Sequence, residues 1–112
     1  MKNIAISKDI LHEFCIIDVR TPGEWKSGVI KEAILIALCD DNGFMNENFI
    51  QEFKEKVDYQ NKNIAFVCAT GSRSKHTAMM IEDTLGIECT NLDGGMVALL
   101  SQGYEATKEG LL

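Results

Sequence analysis

Residues 63–74 read NIAFVCATGSRS. Ile64 to Val67 form a run of apolar residues with no polar position interleaved. A strand that is apolar at consecutive positions must be covered on both faces, as in a parallel sheet between helix layers. The run closes on Cys68, and Gly71 permits the backbone angles of a tight turn. The next stretch, SKHTAMMIEDTLG (74–86), places Ala78, Ile81 and Leu85 on one helical stripe and offers Gly86 as a natural stop.

The same alternation extends outward in both directions. CIIDV (15–19) has consecutive rather than alternating apolar positions, AILIAL (33–38) reads similarly, and CTNL (89–92) is a weaker strand candidate. In NENFIQEFKEKV (46–57), Phe49, Ile50, Phe53 and Val57 share a stripe opposite Glu and Lys. Ser7 is placed to cap a short first helix, KDILHEF, and a last helix follows Gly94-Gly95 through Met96, Leu99 and Leu100. The single proline, Pro22, falls in TPGE, which reads as a turn. Alternating strands and helices predict one α/β domain over residues 1–112, with three α/β/α layers around a central, mostly parallel sheet. Sites in such sheets form in the loops at the carboxyl ends of strands.

Composition narrows the partners. A chain of 112 residues with net charge −6 and no basic face is not a general nucleic-acid or acidic-membrane binder. MKNIAISKDILHEF is interrupted by Asp9, His12 and Glu13, so it lacks the apolar segment of a signal peptide, and no run approaches a membrane span. The expected address is the cytoplasm. There the four cysteines, Cys15, Cys39, Cys68 and Cys89, are expected to stay reduced. No CxxC pair exists, and His12 and His76 show no ligand spacing with the thiols, so neither metal nor cofactor is expected.

A turn followed at once by a helix leaves backbone N–H groups pointing inward at the positive end of the helix dipole. ATGSRS (69–74) would thus cradle an anion with the Cys68 sulfur at its centre. A free thiol titrates near ~8.5, and such surroundings lower that value by one to several units. Arg73 would add a permanent charge, with Lys75 and His76 adding field at the rim. A thiolate at neutral pH is a nucleophile. The competing reading makes Cys68 a small buried strand residue; Gly71, Arg73 and Ser74 favour the nucleophile.

CATGSRS (68–74), NLDGGM (91–96) and the upstream IIDVRTPGEWKSGVI (16–30) together resemble the rhodanese, or thiosulfate sulfurtransferase, homology domain. The resemblance implies a persulfide carried on Cys68. Sulfur would pass from a small donor anion such as thiosulfate to a thiol, cyanide or protein acceptor. It also implies that Ala69, Thr70, Gly71, Ser72, Arg73 and Ser74 bind the substrate through loop amides, with Arg73 bracing the loop and assisting the anion. The C-x4-R spacing from Cys68 to Arg73 resembles the sulfur-transferring branch, whereas the phosphatase branch has C-x5-R. Phosphatase or arsenate reductase chemistry is one alternative; a non-turnover sulfur carrier for a dedicated partner is another. Where active members often have a basic residue after the cysteine, this chain has Ala69, which predicts a weak reaction with free thiosulfate. Glu32 stands where the family turn usually has glycine, and Leu99 replaces a usual tryptophan.

Asp18 and Arg20 bracket Val19 and so point the same way from a strand. They read more readily as a strand-end salt bridge than as support for the loop, although either could pair with Glu24 or Arg73. Cys39 follows AILIAL at the carboxyl edge of the sheet, where it could act as a second, resolving thiol; the plainer reading is a half-buried spectator.

Overall fold

The apolar runs at 15–18 and 64–67 form strands covered on both faces. A computed structural model of the chain describes residues 1–108. Its strands are β1 (Lys2–Ala5), β2 (Cys15–Asp18), β3 (Ile34–Leu35), β4 (Ile64–Val67) and β5 (Cys89–Asp93). They make one sheet in the order β1-β5-β4-β2-β3, and every pairing is parallel. Helices α1 (Pro22–Trp25), α2 (Phe49–Lys56), α3 (Ser72–Leu85) and α4 (Gly95–Ser101) alternate with them, and a 3-10 helix spans Lys8–Glu13.

β4 lies at the centre of the sheet and faces both ways. Ile64, Phe66 and Cys68 join Ile17 and Val19 of the neighbouring β2 segment, Phe49 and Phe53 of α2, and Ala78 and Ile81 of α3. Ala65 and Val67 join Ile16, Leu92, Met96 and Leu99 on the α4 side. The result is the three-layer α/β/α arrangement. Each large side chain removed from water here contributes on the order of 1.5–3 kcal/mol.

The edges depart from the sequence expectations. β1 lies in a stretch that shows no apolar run, and it is largely exposed; its pairing with β5, Ile4 opposite Leu92, holds it in the sheet. The expected strand at 33–38 shortens to two residues. Beyond them, Ile36 and Leu38 still donate backbone N–H groups to Asp18 and Val19 O, at 3.2 and 3.1 Å. Ser7 precedes the 3-10 helix but makes no capping bond. TPGE is not a plain turn: Pro22 opens a single helical turn whose N-cap is Thr21, with the reciprocal Thr21–Glu24 bonds of a capping box. Because all strands run the same way, the β4–α3 and β5–α4 loops meet at one end of the sheet.

Candidate active site

Strand β4 carries the chain to Cys68, and α3 begins at Ser72. The intervening turn requires glycine at 71, where φ is +110° and a Cβ would come 2.9 Å from Asp93 Oδ1. A second glycine is required for a different reason. At Gly95, with φ +58°, a Cβ would meet Cys68 O and come 2.5 Å from Ala69 O. The loop backbone packs this closely because α4 captures it: Met96 N–H donates to Cys68 O and Val97 N–H to Ala69 O, both at 2.9 Å. With those carbonyls turned toward α4, the amides that follow are free to face the sulfur.

Donors from Gly71 and Ser74 reach Cys68 Sγ. They are Gly71 N–H at 3.1 Å, Ser74 N–H at 3.3 Å and the Ser74 hydroxyl at 3.2 Å. Ser74 N–H is one of the first-turn amides that a helix leaves without an internal partner. Cys68 has 0% of its surface exposed, and burial pushes its thiol up. The Ser74 hydroxyl, then the Ser74, Gly71 and Thr70 amides, outweigh that burial, and the net shift is downward. A sulfur that would otherwise be a core residue is thereby favoured as an anion.

Arg73 grips Glu24 with both guanidinium ends, Nη1 to Oε1 at 2.7 Å and Nη2 to Oε2 at 2.9 Å. That grip is the chief cause that takes the Glu24 carboxyl down to about 2; partial burial opposes it, and the Thr21 backbone assists. Since Glu24 also closes the capping box of α1, the pair ties the start of α3 to the β2–α1 turn. Asp18 and Arg20 form a separate, buried pair: Arg20 Nη2 lies 2.8 Å from Asp18 Oδ2 and also donates to Gly28 O at 2.8 Å. They close the end of β2 and make no bond to the loop.

The remaining candidates stand further from the chemistry. Ala69 contributes its carbonyl to α4, and Ser72 is exposed. Lys75 and His76 are exposed on α3; the Lys75 backbone N–H donates to Gly71 O at 3.2 Å, and neither side chain hydrogen-bonds to the loop among the described residues. Cys39 is half-buried, with its sulfur 3.6 Å from Met45 Sδ. A cavity of about 740 Å³ lies at the opposite end of the sheet beside Cys15 and Asn63, and has no part in this site. Sequence reasoning missed Asn91, fully buried on β5 with its Oδ1 2.5 Å from Ser74 Oγ. Its signal was an amide side chain inside an apolar strand, a position where a buried polar group needs partners.

Comparison with known proteins agrees with this geometry. The family model described as Rhodanese-like domain matches residues 2–102. A rhodanese-like domain protein from Staphylococcus aureus is 30% identical, with a TM-score of 0.71 over 96% of this chain and 99% of that one. A rhodanese-related protein from Thermoplasma volcanium is 25% identical, with a TM-score of 0.70 over 95% and 99%. At 21% identity, a Helicobacter pylori protein shares the fold, with a TM-score of 0.69 over 92% and 87%. The comparison with curated proteins finds no match.

Proposed function

The chain belongs to the rhodanese-like domain family, and from that premise we propose that it is a sulfurtransferase with Cys68 as nucleophile and sulfur carrier. One observation carries this reading: a fully buried sulfur receives three hydrogen bonds from Gly71 and Ser74. Donors fixed in place before the reaction stabilise charge without reorganising. The Cys68 thiolate attacks the outer sulfur of a donor such as thiosulfate. The donor's S–S bond breaks, sulfite leaves with the bonding pair, and a Cys68 persulfide remains. An acceptor thiolate or cyanide then attacks the outer sulfur, and the Cys68 thiolate departs. Loop amides from 69 to 74 support the persulfide, while Arg73 acts through Glu24 as a brace.

Complete burial of Cys68 also favours a second reading, in which a dedicated protein partner uncovers the sulfur and free turnover is slow. Ala69 points the same way, since it offers thiosulfate no charge. Intact-protein mass spectrometry after exposure to thiosulfate tests the shared chemistry. One added sulfur is expected, removable by cyanide and absent from Cys68→Ser; no adduct with thiosulfate or with any persulfide donor would overturn it. Turnover of an aryl phosphate with no sulfur adduct would favour the phosphatase alternative. Among the described residues, no helix is long and apolar enough to cross a membrane.

A further inference from the structure

The Ser74 hydroxyl has two claimants. Its oxygen lies 3.2 Å from Cys68 Sγ and 2.5 Å from Asn91 Oδ1, but it carries one hydrogen. The orientation of the Asn91 amide is settled independently. Its nitrogen faces Gly71 O at 3.1 Å and Asn3 Oδ1 at 2.8 Å, and the Gly71 carbonyl can only accept. The Asn91 oxygen therefore faces Ser74, and Asn91 has 0% of its surface exposed, so water cannot replace a lost donor.

Counting hydrogens in the two states of the sulfur gives different results. When Cys68 is a thiol, its S–H donates to Ser74 Oγ and the Ser74 O–H donates to Asn91 Oδ1; every group is satisfied. When the proton leaves to solvent, the Ser74 O–H turns to the sulfur anion and Asn91 Oδ1 is left buried without a donor. A buried acceptor stripped of its partner is costly. We propose that Asn91 is a positioning residue that restrains the acidity of Cys68 by competing with its sulfur for the single hydroxyl hydrogen of Ser74. The same amide holds the Gly71 carbonyl, so it both shapes the cradle and tempers it.

Other charges around Cys68 are balanced or distant. On α3, Arg73 is paired with Glu24, while Lys75 and His76 face solvent. On β2, Asp18 is paired with Arg20. On β5, Asp93 is exposed beside Gly71, and the first turn of α4 carries no charged side chain. None of these changes when Asn91 is replaced, so they cancel in a comparison of variants.

The inference rests on the reading of Cys68 as a nucleophile, but it is tested on protonation alone. The Cys68 Cβ carbon shift, assigned with Cys68→Ser, gives the thiol midpoint by NMR without requiring reagent access. Asn91→Leu is expected to lower that midpoint by about one pH unit, a tenfold gain in thiolate below it, equivalent to about 1.4 kcal/mol. In a Ser74→Ala background the same substitution is expected to have no effect. In the unaltered protein, the Asn91 Cγ shift is expected to titrate with the Cys68 midpoint, and to lose most of that response in Ser74→Ala. This last measurement needs no folded Asn91 variant. An unchanged or raised midpoint in folded Asn91→Leu, an equal shift without Ser74, or a flat Asn91 signal would each overturn the proposal. If sulfur loading persists while any of these occurs, this inference fails and the sulfurtransferase reading stands.

Discussion

Cys68 and Cys89 are near-identical in burial, at 0% and 1% exposure, and belong to the same apolar cluster on the same face of adjacent strands. Yet Cys68 is shifted down, whereas burial and then the Glu82 carboxylate push Cys89 up to about 12. One helix separates them. α3 starts beside Cys68, where Ser74 offers the sulfur an amide with no partner inside the helix and a hydroxyl, and ends at Leu85 shortly before Cys89. The positive end of its dipole faces one sulfur and the negative end lies toward the other, where Glu82 in the last turn accepts from Cys89 N–H at 2.8 Å. Depth in the core therefore does not decide which way a thiol shifts. The direction of the neighbouring helix and the donors at its start do.

The most severe way to erase this contrast is Gly95→Ala. Its Cβ would displace the Cys68 and Ala69 carbonyls from α4, and the left-handed backbone at 95 adds strain. A loss of about 3 kcal/mol is expected, seen as a fall in Tm of roughly 15 °C. The Cys68 midpoint should rise in whatever folded fraction remains. An unchanged Tm would show that the loop is not held by α4.

Ser74→Ala is milder and more pointed. It removes the hydroxyl but keeps both amides, so the Cys68 midpoint should rise by about one unit while Cys89 stays protonated throughout. Titration of the two Cβ carbons by NMR checks both halves. A rise at both sulfurs would mean that the change had spread through the core.

Glu24→Gln has the smallest expected effect, because the Glu24–Arg73 pair is about one-third exposed and solvent screens it. Such pairs contribute less than about 1 kcal/mol. The Glu24 carboxyl is lowered on folding, so its contribution is full above the ordinary value of 4.5 and is lost as pH falls toward about 2. Urea midpoints measured down that range should fall more steeply for the unaltered protein than for Glu24→Gln. Parallel curves would assign the acid sensitivity to other carboxylates.

Sequence legibility follows the same division between centre and edge. Ile64 to Val67 could be read as a doubly covered strand because four consecutive residues are buried. The cradle at 68–74 was readable because glycine, helix start and cysteine are contiguous. β1 was not readable, since an edge strand held by backbone pairing needs no apolar pattern. Nor was the short reach of β3, where Ile36 and Leu38 are buried without belonging to a strand. The grip of Arg73 on Glu24 joins positions far apart in sequence, and a motif alone left its partner open. Glu32 is instructive in reverse: it takes a left-handed backbone, φ 70°, which glycine adopts at less cost, and nothing in KEA (31–33) marks the turn.

The capture of the Cys68 and Ala69 carbonyls by α4 has a consequence for a chain still being made. Synthesis delivers the cysteine well before residues 95–101, the element that aligns its surroundings. A growing polypeptide halted at β5 would lack the donors that hold the Cys68 and Ala69 carbonyls, and the amides at 71 and 74 would align on the sulfur only once α4 docks.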